Sequence, residues 1–174
     1  MSKQLIFFGG SKGVGKSSLA KAVSSRLDFE YINTGERFRK YRPHFDKRFI
    51  QELIESDGSF IIDTHYAVSS SKTPYEFQMG IDKKYQMHLR FSTTYSGRII
   101  LIKTSPQIVL ERRRKDGEER RCLELGQVIK ENNFNLAYSR IYASCLNMPY
   151  HLLKNEGLSI EDAVSKLTEI IENE

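Results

Sequence analysis

Residues 10–17 combine glycine, lysine and serine at a spacing that suits phosphate binding. They match the pattern G-x-x-x-x-G-K-[ST] at every defined position. The glycines let the backbone curl so that consecutive N–H groups face a phosphate, and the following helix adds the positive end of its dipole. The lysine supplies charge for the β- and γ-phosphates, and the serine hydroxyl is an expected Mg²⁺ ligand. We therefore expect this segment to bind ATP or a close relative.

The roles expected within this loop follow from the pattern. The residues expected to contact the nucleotide are Gly10, Ser11, Lys12, Gly13, Val14, Gly15, Lys16, Ser17 and Ser18. Lys16 is also expected to be catalytic, and Ser17 is expected to bind Mg²⁺.

Three absent features narrow the reaction. The chain has no N-K-x-D motif, and residues 63–66 read D-T-H-Y instead of D-x-x-G, which argues against a switch GTPase. A hydrolytic motor usually carries a glutamate after the strand-end aspartate, where this chain has Thr64. The additional lysine of partition-type ATPases belongs at position 11, which is Ser11. The interpretation that remains is a kinase that passes a phosphoryl group to a bound acceptor.

Apolar runs alternate with helical periodicity along the chain. The runs at 5–8, 29–33, 60–63, 99–102 and 150–153 predict strands. Helices are expected over 17–27, 45–56, 106–115, 122–146 and 159–173. Alternation of this kind predicts a three-layer α/β/α P-loop NTPase fold with a mostly parallel sheet of about five strands. Ligands bind such sheets at the carboxyl ends of the strands. We expect a single domain over 1–174, with an acceptor-pocket insertion at about 64–97.

Residues 34–39 carry a family resemblance. They read T-G-E-R-F-R, which resembles the T-G-D-x-h-R signature of nucleoside monophosphate kinases, with Glu36 in place of aspartate. F-I-I-D-T-H at 60–65, followed by K-T-P at 72–74, is similar to a region of archaeal-type adenylate kinases. The resemblance continues to an asparagine turn at 154–157 and covers most of the chain.

The resemblance implies an acceptor site for AMP or another monophosphate. It implies an NMP-binding segment over about 34–57, with Thr34, Gly35 and Arg39 holding the acceptor. Asp63 is expected to bind substrate and to orient Mg²⁺, usually through water, and His65 is expected to face the acceptor phosphate. In the alternative interpretation Thr34 is only a helix cap with Arg39 exposed, and His65 is structural.

An arginine-rich lid is expected over about 112–122. Residues 112–121 hold six of the 27 basic residues of the chain. In kinases of this class, lid arginines stabilise the charge on the phosphoryl oxygens. The candidates are Arg112, Arg113, Arg114, Arg120 and Arg121, of which Arg113, Arg120 and Arg121 are the expected catalytic residues. The alternative is a solvated helix whose arginines pair with neighbouring carboxylates.

The composition leaves two rival functions open. The 174 residues carry a net charge of +5, and neither a membrane-spanning run nor a signal peptide is evident. We therefore expect a cytoplasmic protein, with Cys122 and Cys145 as reduced thiols. One rival is a kinase of a different small acceptor. The other is a nucleotide-binding regulatory or RNA-associated ATPase, supported by the basic balance and by aromatic residues in the middle of the chain. The oligomeric state stays open.

Overall fold

The computed structural model describes residues 3–69, 76–116 and 123–173. The strands are β1 (Gln4–Gly9), β2 (Glu30–Asn33), β3 (Phe60–Asp63), β4 (Ala67–Val68), β5 (Gln78–Met79), β6 (Ser96–Lys103) and β7 (Tyr150–Lys154). The helices are α1 (Lys16–Leu27), α2 (Thr34–Tyr41), α3 (Phe45–Glu55), α4 (Lys83–Ser92), α5 (Pro106–Asp116), α6 (Leu125–Leu146) and α7 (Ile160–Glu172).

The main sheet has five strands in the order β2-β3-β1-β6-β7, and all four pairings are parallel. Parallel neighbours require crossover connections, and helices supply them on both faces of the sheet. The predicted three-layer α/β/α architecture with about five mostly parallel strands is therefore confirmed. The carboxyl ends of β1, β2 and β3 lie side by side, since Phe8 pairs with Asp63 and Asp63 pairs with Asn33.

Two hydrophobic clusters cover the two faces of the sheet. Leu5 and Phe7 of β1 belong to one cluster, whereas Ile6 and Phe8 belong to the other, as the two-residue repeat of a strand requires. The first face is covered by residues such as Phe49, Leu53, Leu89, Tyr142 and Leu146. The second is covered by residues such as Leu19, Val23, Val109, Val164 and Leu167. The central strand is thus buried on both sides and rigidly holds the loop that follows it.

The insertion is more regular than its sequence indicates. Strands β4 and β5 form a short antiparallel pair, and α4 follows over Lys83–Ser92. The side chain of Asp82 caps that helix by accepting from the Lys84 N–H at 2.9 Å. Within the described residues, none of the helices is both long enough and apolar enough to cross a membrane.

Candidate active site

The glycine loop connects β1 to the first turn of α1 in a conformation that requires glycine. Gly13 and Gly15 have φ angles of 90° and 89°, in the left-handed region that penalises residues with a Cβ. Gly15 is also the N-cap of α1 and has no capping side chain. A Cβ at Gly15 would lie 2.9 Å from the Asn155 amide nitrogen. The loop therefore leaves the helix N-terminus open toward a ligand, as phosphate binding needs.

Lys16 extends from this helix start toward the carboxyl end of β3. Its ammonium lies 3.7 Å from Asp63 Oδ1 and 3.2 Å from His65 Nε2. Lys16 is only 7% exposed and Asp63 only 3%. The structure thus brings together three residues that the sequence predicted for the site, and it places a cation and a carboxylate beside the glycine loop.

The hydrogen bonds of His65 define its protonation state. Its Nδ1 lies 2.9 Å from the Gly10 carbonyl oxygen, which can only accept, so Nδ1 carries the proton. Nε2 then offers its lone pair to the Lys16 ammonium. Desolvation of the ring, together with the positive charge of Lys16, holds the pKa of His65 well below 6.5. His65 is therefore a neutral partner of the site lysine.

Two residues from the neighbouring strand and helix position Asp63. The Tyr31 hydroxyl donates to Asp63 Oδ2 at 2.8 Å, and the Thr34 hydroxyl donates to the Asp63 carbonyl at 3.1 Å. Burial, aided by the charge of Asp63, raises the pKa of Tyr31 to about 12, so the phenol stays a donor at neutral pH. Asp63 is thereby held in one orientation with Oδ1 turned toward Lys16.

Helix α6 supports the glycine loop from below through a row of polar side chains. The Ser11 hydroxyl bonds to Asn132 Oδ1, and the Lys12 N–H donates to Glu131 Oε1 at 2.9 Å. The Arg113 guanidinium donates to the Lys12 carbonyl at 2.8 and 2.9 Å and pairs with Glu131 at 2.7 Å. These contacts fix the first half of the loop.

Arg113, one of the predicted catalytic arginines, is only 2% exposed. Its guanidinium contacts the Lys12 carbonyl and the Glu131 carboxylate, and these contacts position the loop. Its catalytic role stays a prediction. Arg120 and Arg121 lie outside the described residues, as do residues 72–74, Cys122 and most of the predicted lid.

A cavity of about 310 Å³ opens on the other side of the loop. Asn155 donates to the Val14 carbonyl at 2.9 Å, and Arg112 lies 3.4 Å from the Gly13 carbonyl. The cavity is lined by Gly13, Gly15, Ser18, Leu19, Arg112, Asp116, Asn155, Leu158 and Ile160. The cavity therefore combines apolar side chains, one amide and two charged groups, and it lies beside the glycine loop.

The insertion reaches the site through close packing. A Cβ at Gly9 would meet the Tyr66 ring at 2.1 Å, and the Tyr66 hydroxyl donates to the Phe7 carbonyl at 2.7 Å. The Ala67 N–H donates to Asn135 Oδ1 at 3.2 Å, and the Asn135 amide lies 3.5 Å from the Ser11 hydroxyl. Asn135 therefore contacts both the glycine loop and the insertion.

Of the predicted acceptor residues on α2, Thr34 contacts Asp63, and the three differ in exposure. Thr34 is buried and begins α2, whereas Gly35 and Arg39 are exposed. The cap of α2 is the preceding residue, Asn33, whose side chain accepts from the Glu36 N–H at 3.1 Å. The alternative interpretation, in which Thr34 caps the helix, is therefore wrong by one residue. The Thr34 hydroxyl donates to the Asp63 carbonyl of β3 instead.

Several site residues were missed by sequence reasoning. They are Tyr31, Glu131, Asn132, Asn135 and the packing partner Tyr66. A signal was present for three of them: in α6, residues 131, 132 and 135, together with Ser139, recur at the spacing of one helix face. A polar face on a helix is usually solvated, so this pattern did not indicate burial.

Comparison with known proteins identifies the fold. No protein-family profile and no curated protein sequence matches the chain. Among solved structures, the YorR protein from Bacillus subtilis in complex with phosphorylated GDP is similar over 95% of this chain and 94% of its own. The TM-score is 0.64 and the identity 15%.

Two other solved structures have the same architecture. Deoxyadenosine kinase from M. mycoides with bound dATP matches 95% of this chain and 98% of its own, with a TM-score of 0.61 and 13% identity. Shikimate kinase from Acinetobacter baumannii in complex with shikimate matches 98% and 93%, with a TM-score of 0.60 and 11% identity. The chain therefore has the fold of P-loop kinases.

Proposed function

We propose that the protein is a phosphotransferase that moves the γ-phosphoryl group of Mg·ATP to a nucleoside monophosphate, with AMP as the first acceptor to test. The observation that carries the proposal is the cluster of Lys16, Asp63 and His65 at the mouth of the glycine loop. It supplies a donor-phosphate cation and a carboxylate at the edge of the sheet where β1, β2 and β3 end. The kinases and the nucleotide-bound structures that share the fold support this assignment.

The loop would bind the donor phosphates. Its N–H groups and the α1 N-terminus would bind the β-phosphate, and Lys16 would exchange its contact with His65 for the β- and γ-oxygens. His65 is neutral and therefore places no second cation against Lys16 in the resting state. Arg112 and Asn155 border the cavity that would take the base.

The donor atoms fit Mg²⁺. Ser17 offers a hydroxyl oxygen and Asp63 a carboxylate, which are the hard ligands this ion prefers, with phosphate and water oxygens completing its shell. When bound, the ion would neutralise charge on the β- and γ-phosphates. Tyr31 and Thr34 would keep the Asp63 carboxylate in place during this step.

The transfer itself needs no covalent enzyme intermediate. An oxygen of the acceptor phosphate forms a bond to the γ-phosphorus as the bond to the β–γ bridging oxygen breaks, which leaves ADP. Arg39, exposed on α2, would hold the acceptor phosphate through its planar guanidinium. The predicted lid arginines Arg113, Arg120 and Arg121 would stabilise the transferring group, with Arg113 acting through the loop.

A hydroxyl acceptor is the second candidate. Asp63 is a buried carboxylate beside the transfer site, and such a group could accept the proton of an attacking hydroxyl. The shikimate and deoxyadenosine kinases that share the fold support this alternative. A nucleotide-binding regulatory or RNA-associated ATPase stays the third.

One acceptor panel separates these functions. Mg·ATP is incubated with the protein and with AMP, other monophosphates, deoxyadenosine or shikimate, and ADP formation is followed. ADP formation that depends on AMP or another monophosphate supports the proposal. Dependence on a hydroxyl compound alone supports the second candidate. Equal ADP formation with and without every acceptor would mean hydrolysis and would refute both kinase assignments.

A further inference from the structure

The positive charge of the chain is concentrated in α2, the turn that follows it and the first turn of α3. Residues 37–48 contain six lysines or arginines and a single aspartate, so this stretch alone accounts for the net charge of +5. The remainder of the chain is formally neutral. The arginine-rich segment after β6 contributes less, because three acidic residues lie among its six cations at 112–121.

Two of the six cations between α2 and α3 already have acidic neighbours. Arg37 pairs with Glu52 at 2.8 Å and approaches Glu30 at 4.0 Å. Arg48 lies at a groove that Glu52 and Glu55 also line. Arg37 is thus neutralised within the protein, and Arg48 shares a groove with two carboxylates.

Four cations remain, and we call them the basic α2–α3 surface: Arg39, Lys40, Arg42 and Lys47. All four are exposed, and none forms an ion pair with a carboxylate within the described part of the chain. The lone acid of the stretch, Asp46, is turned away, because its carboxylate accepts from the Asp82 N–H at 3.1 Å. The surface thus presents uncompensated charge to solvent.

An aromatic ring lies against one of these cations, Arg42. Phe38 is 40% exposed, and the Arg42 guanidinium lies 4.2 Å from its ring centroid. The same ring packs edge-on against Phe45 at 5.4 Å, which holds it in place. Proteins bind single-stranded nucleic acid through cations that contact the phosphates and aromatic rings on which the bases stack. Both kinds of group are present here.

We propose that the basic α2–α3 surface binds single-stranded nucleic acid. The cations would contact successive phosphates, and Phe38 together with the Arg42 guanidinium would stack against a base. A small acceptor needs one or two cations, whereas this surface holds three besides Arg39, which favours an extended polyanion. Binding here requires neither ATP nor phosphoryl transfer. Arg39 belongs to both proposed sites, so the variant that tests this surface leaves Arg39 unchanged.

The test is binding of a fluorescein-labelled oligothymidylate of about 20 nucleotides, followed by anisotropy without ATP as salt is increased. The triple variant Lys40→Glu, Arg42→Glu, Lys47→Glu is compared with a charge-matched control, Arg140→Glu, Lys154→Glu, Lys166→Glu. The control residues are exposed cations of α6, β7 and α7. Circular dichroism checks that both variants are folded.

We expect the surface variant to lose at least about tenfold in affinity while the control retains most of it. Each phosphate contact contributes about 0.7 to the slope of log affinity against log salt for single strands. Loss of three contacts should therefore make the slope shallower by about 2. Phe38→Ala should weaken binding without changing this slope, because stacking releases no counterions.

Three outcomes would overturn the proposal. The wild-type protein could fail to bind the oligonucleotide at low salt. The two triple variants could lose affinity equally, which would make the effect one of net charge. Finally, polyglutamate could compete as well as unlabelled oligothymidylate while Phe38→Ala had no effect, which would indicate a surface for acidic proteins.

Discussion

The glycine loop and the predicted acceptor residues are held differently, although both follow strands that end at the same edge of the sheet. The glycine loop is fixed from two sides by α6, α5 and the segment after β7, through Asn132, Glu131, Arg113 and Asn155. On the acceptor side, Thr34 is fixed, but Arg39 and its neighbours on α2 are exposed. In the proposed reaction, donor phosphates would thus meet a preorganised loop, whereas the acceptor would bind to exposed side chains.

This difference has an energetic consequence. Removing a donor-side residue leaves buried polar groups without partners, which costs stability as well as activity. Removing an acceptor-side cation leaves only solvated groups and should change binding alone. Variants on the two sides of the site should therefore separate effects on stability from effects on binding.

Arg113→Met should destabilise the protein most, because it removes a buried guanidinium and leaves the Glu131 carboxylate, only 13% exposed, without its cation. Breaking one partner of such a buried pair costs about 3–5 kcal/mol. Urea unfolding followed by circular dichroism measures the change. Arg114→Met is the matched control, since Arg114 is exposed on the same helix and should change stability little. Equal losses of unfolding free energy in the two variants would contradict the inference that buried Arg113 stabilises the loop.

Lys16→Met should lower kcat about 10²- to 10³-fold, the usual effect of removing one preorganised charge that stabilises a transition state. The assay is ADP formation with the acceptor identified by the panel. Lys21→Met, an exposed change on the same helix, should retain normal activity. A Lys16→Met enzyme with full kcat would mean that the loop does not position the transferred group.

Arg39→Ala should raise the acceptor KM about tenfold to a hundredfold, because a hydrogen bond to a charged group contributes about 1.5–3 kcal/mol. The KM for ATP and the unfolding free energy should stay unchanged, since the side chain is exposed. Arg140→Ala serves as the control. A parallel rise in the KM for ATP would show that Arg39 does not distinguish the two sides.

The pH dependence of the unfolding free energy tests whether His65 is neutral in the folded protein. Its folded pKa lies well below 6.5, so the unfolded chain binds the proton more readily. The stabilisation is complete above the unfolded value of 6.5 and is lost as pH falls below it, by at most about 1.4 kcal/mol per pH unit. His65→Gln should flatten this slope, because it removes the imidazole whose pKa is lowered by burial. Unfolding of the nucleotide-free protein between pH 7 and 5 measures it, and an unchanged slope in His65→Gln would be the contrary result.

The sequence was sufficient for the sheet and for the loop, because both depend on local patterns. Continuous apolar runs predict strands buried on both faces, and all five predicted strands lie in the main sheet. The glycines and Lys16 occupy fixed positions in a motif whose geometry follows from its backbone. Local chemistry of this kind needs no knowledge of distant partners.

The bracing of the loop was not predictable for the opposite reason. Arg113 and Glu131 are separated by 18 residues, and Asn135 and Ser11 by 124. Nothing in an arginine-rich run indicates which guanidinium will be buried, because burial depends on which helix face packs on the loop. The insertion was equally unreadable, since its order comes from contacts with α6 such as that of Ala67 with Asn135.

The most direct test of phosphoryl transfer to a monophosphate follows the γ-phosphate itself. The protein is mixed with γ-labelled Mg·ATP and AMP, samples are taken at successive times, and the labelled products in each sample are separated by chromatography. We expect the label to appear in ADP formed from AMP, at a rate that Lys16→Met lowers about 10²- to 10³-fold. Appearance of the label as inorganic phosphate, at the same rate with and without an acceptor, would contradict it.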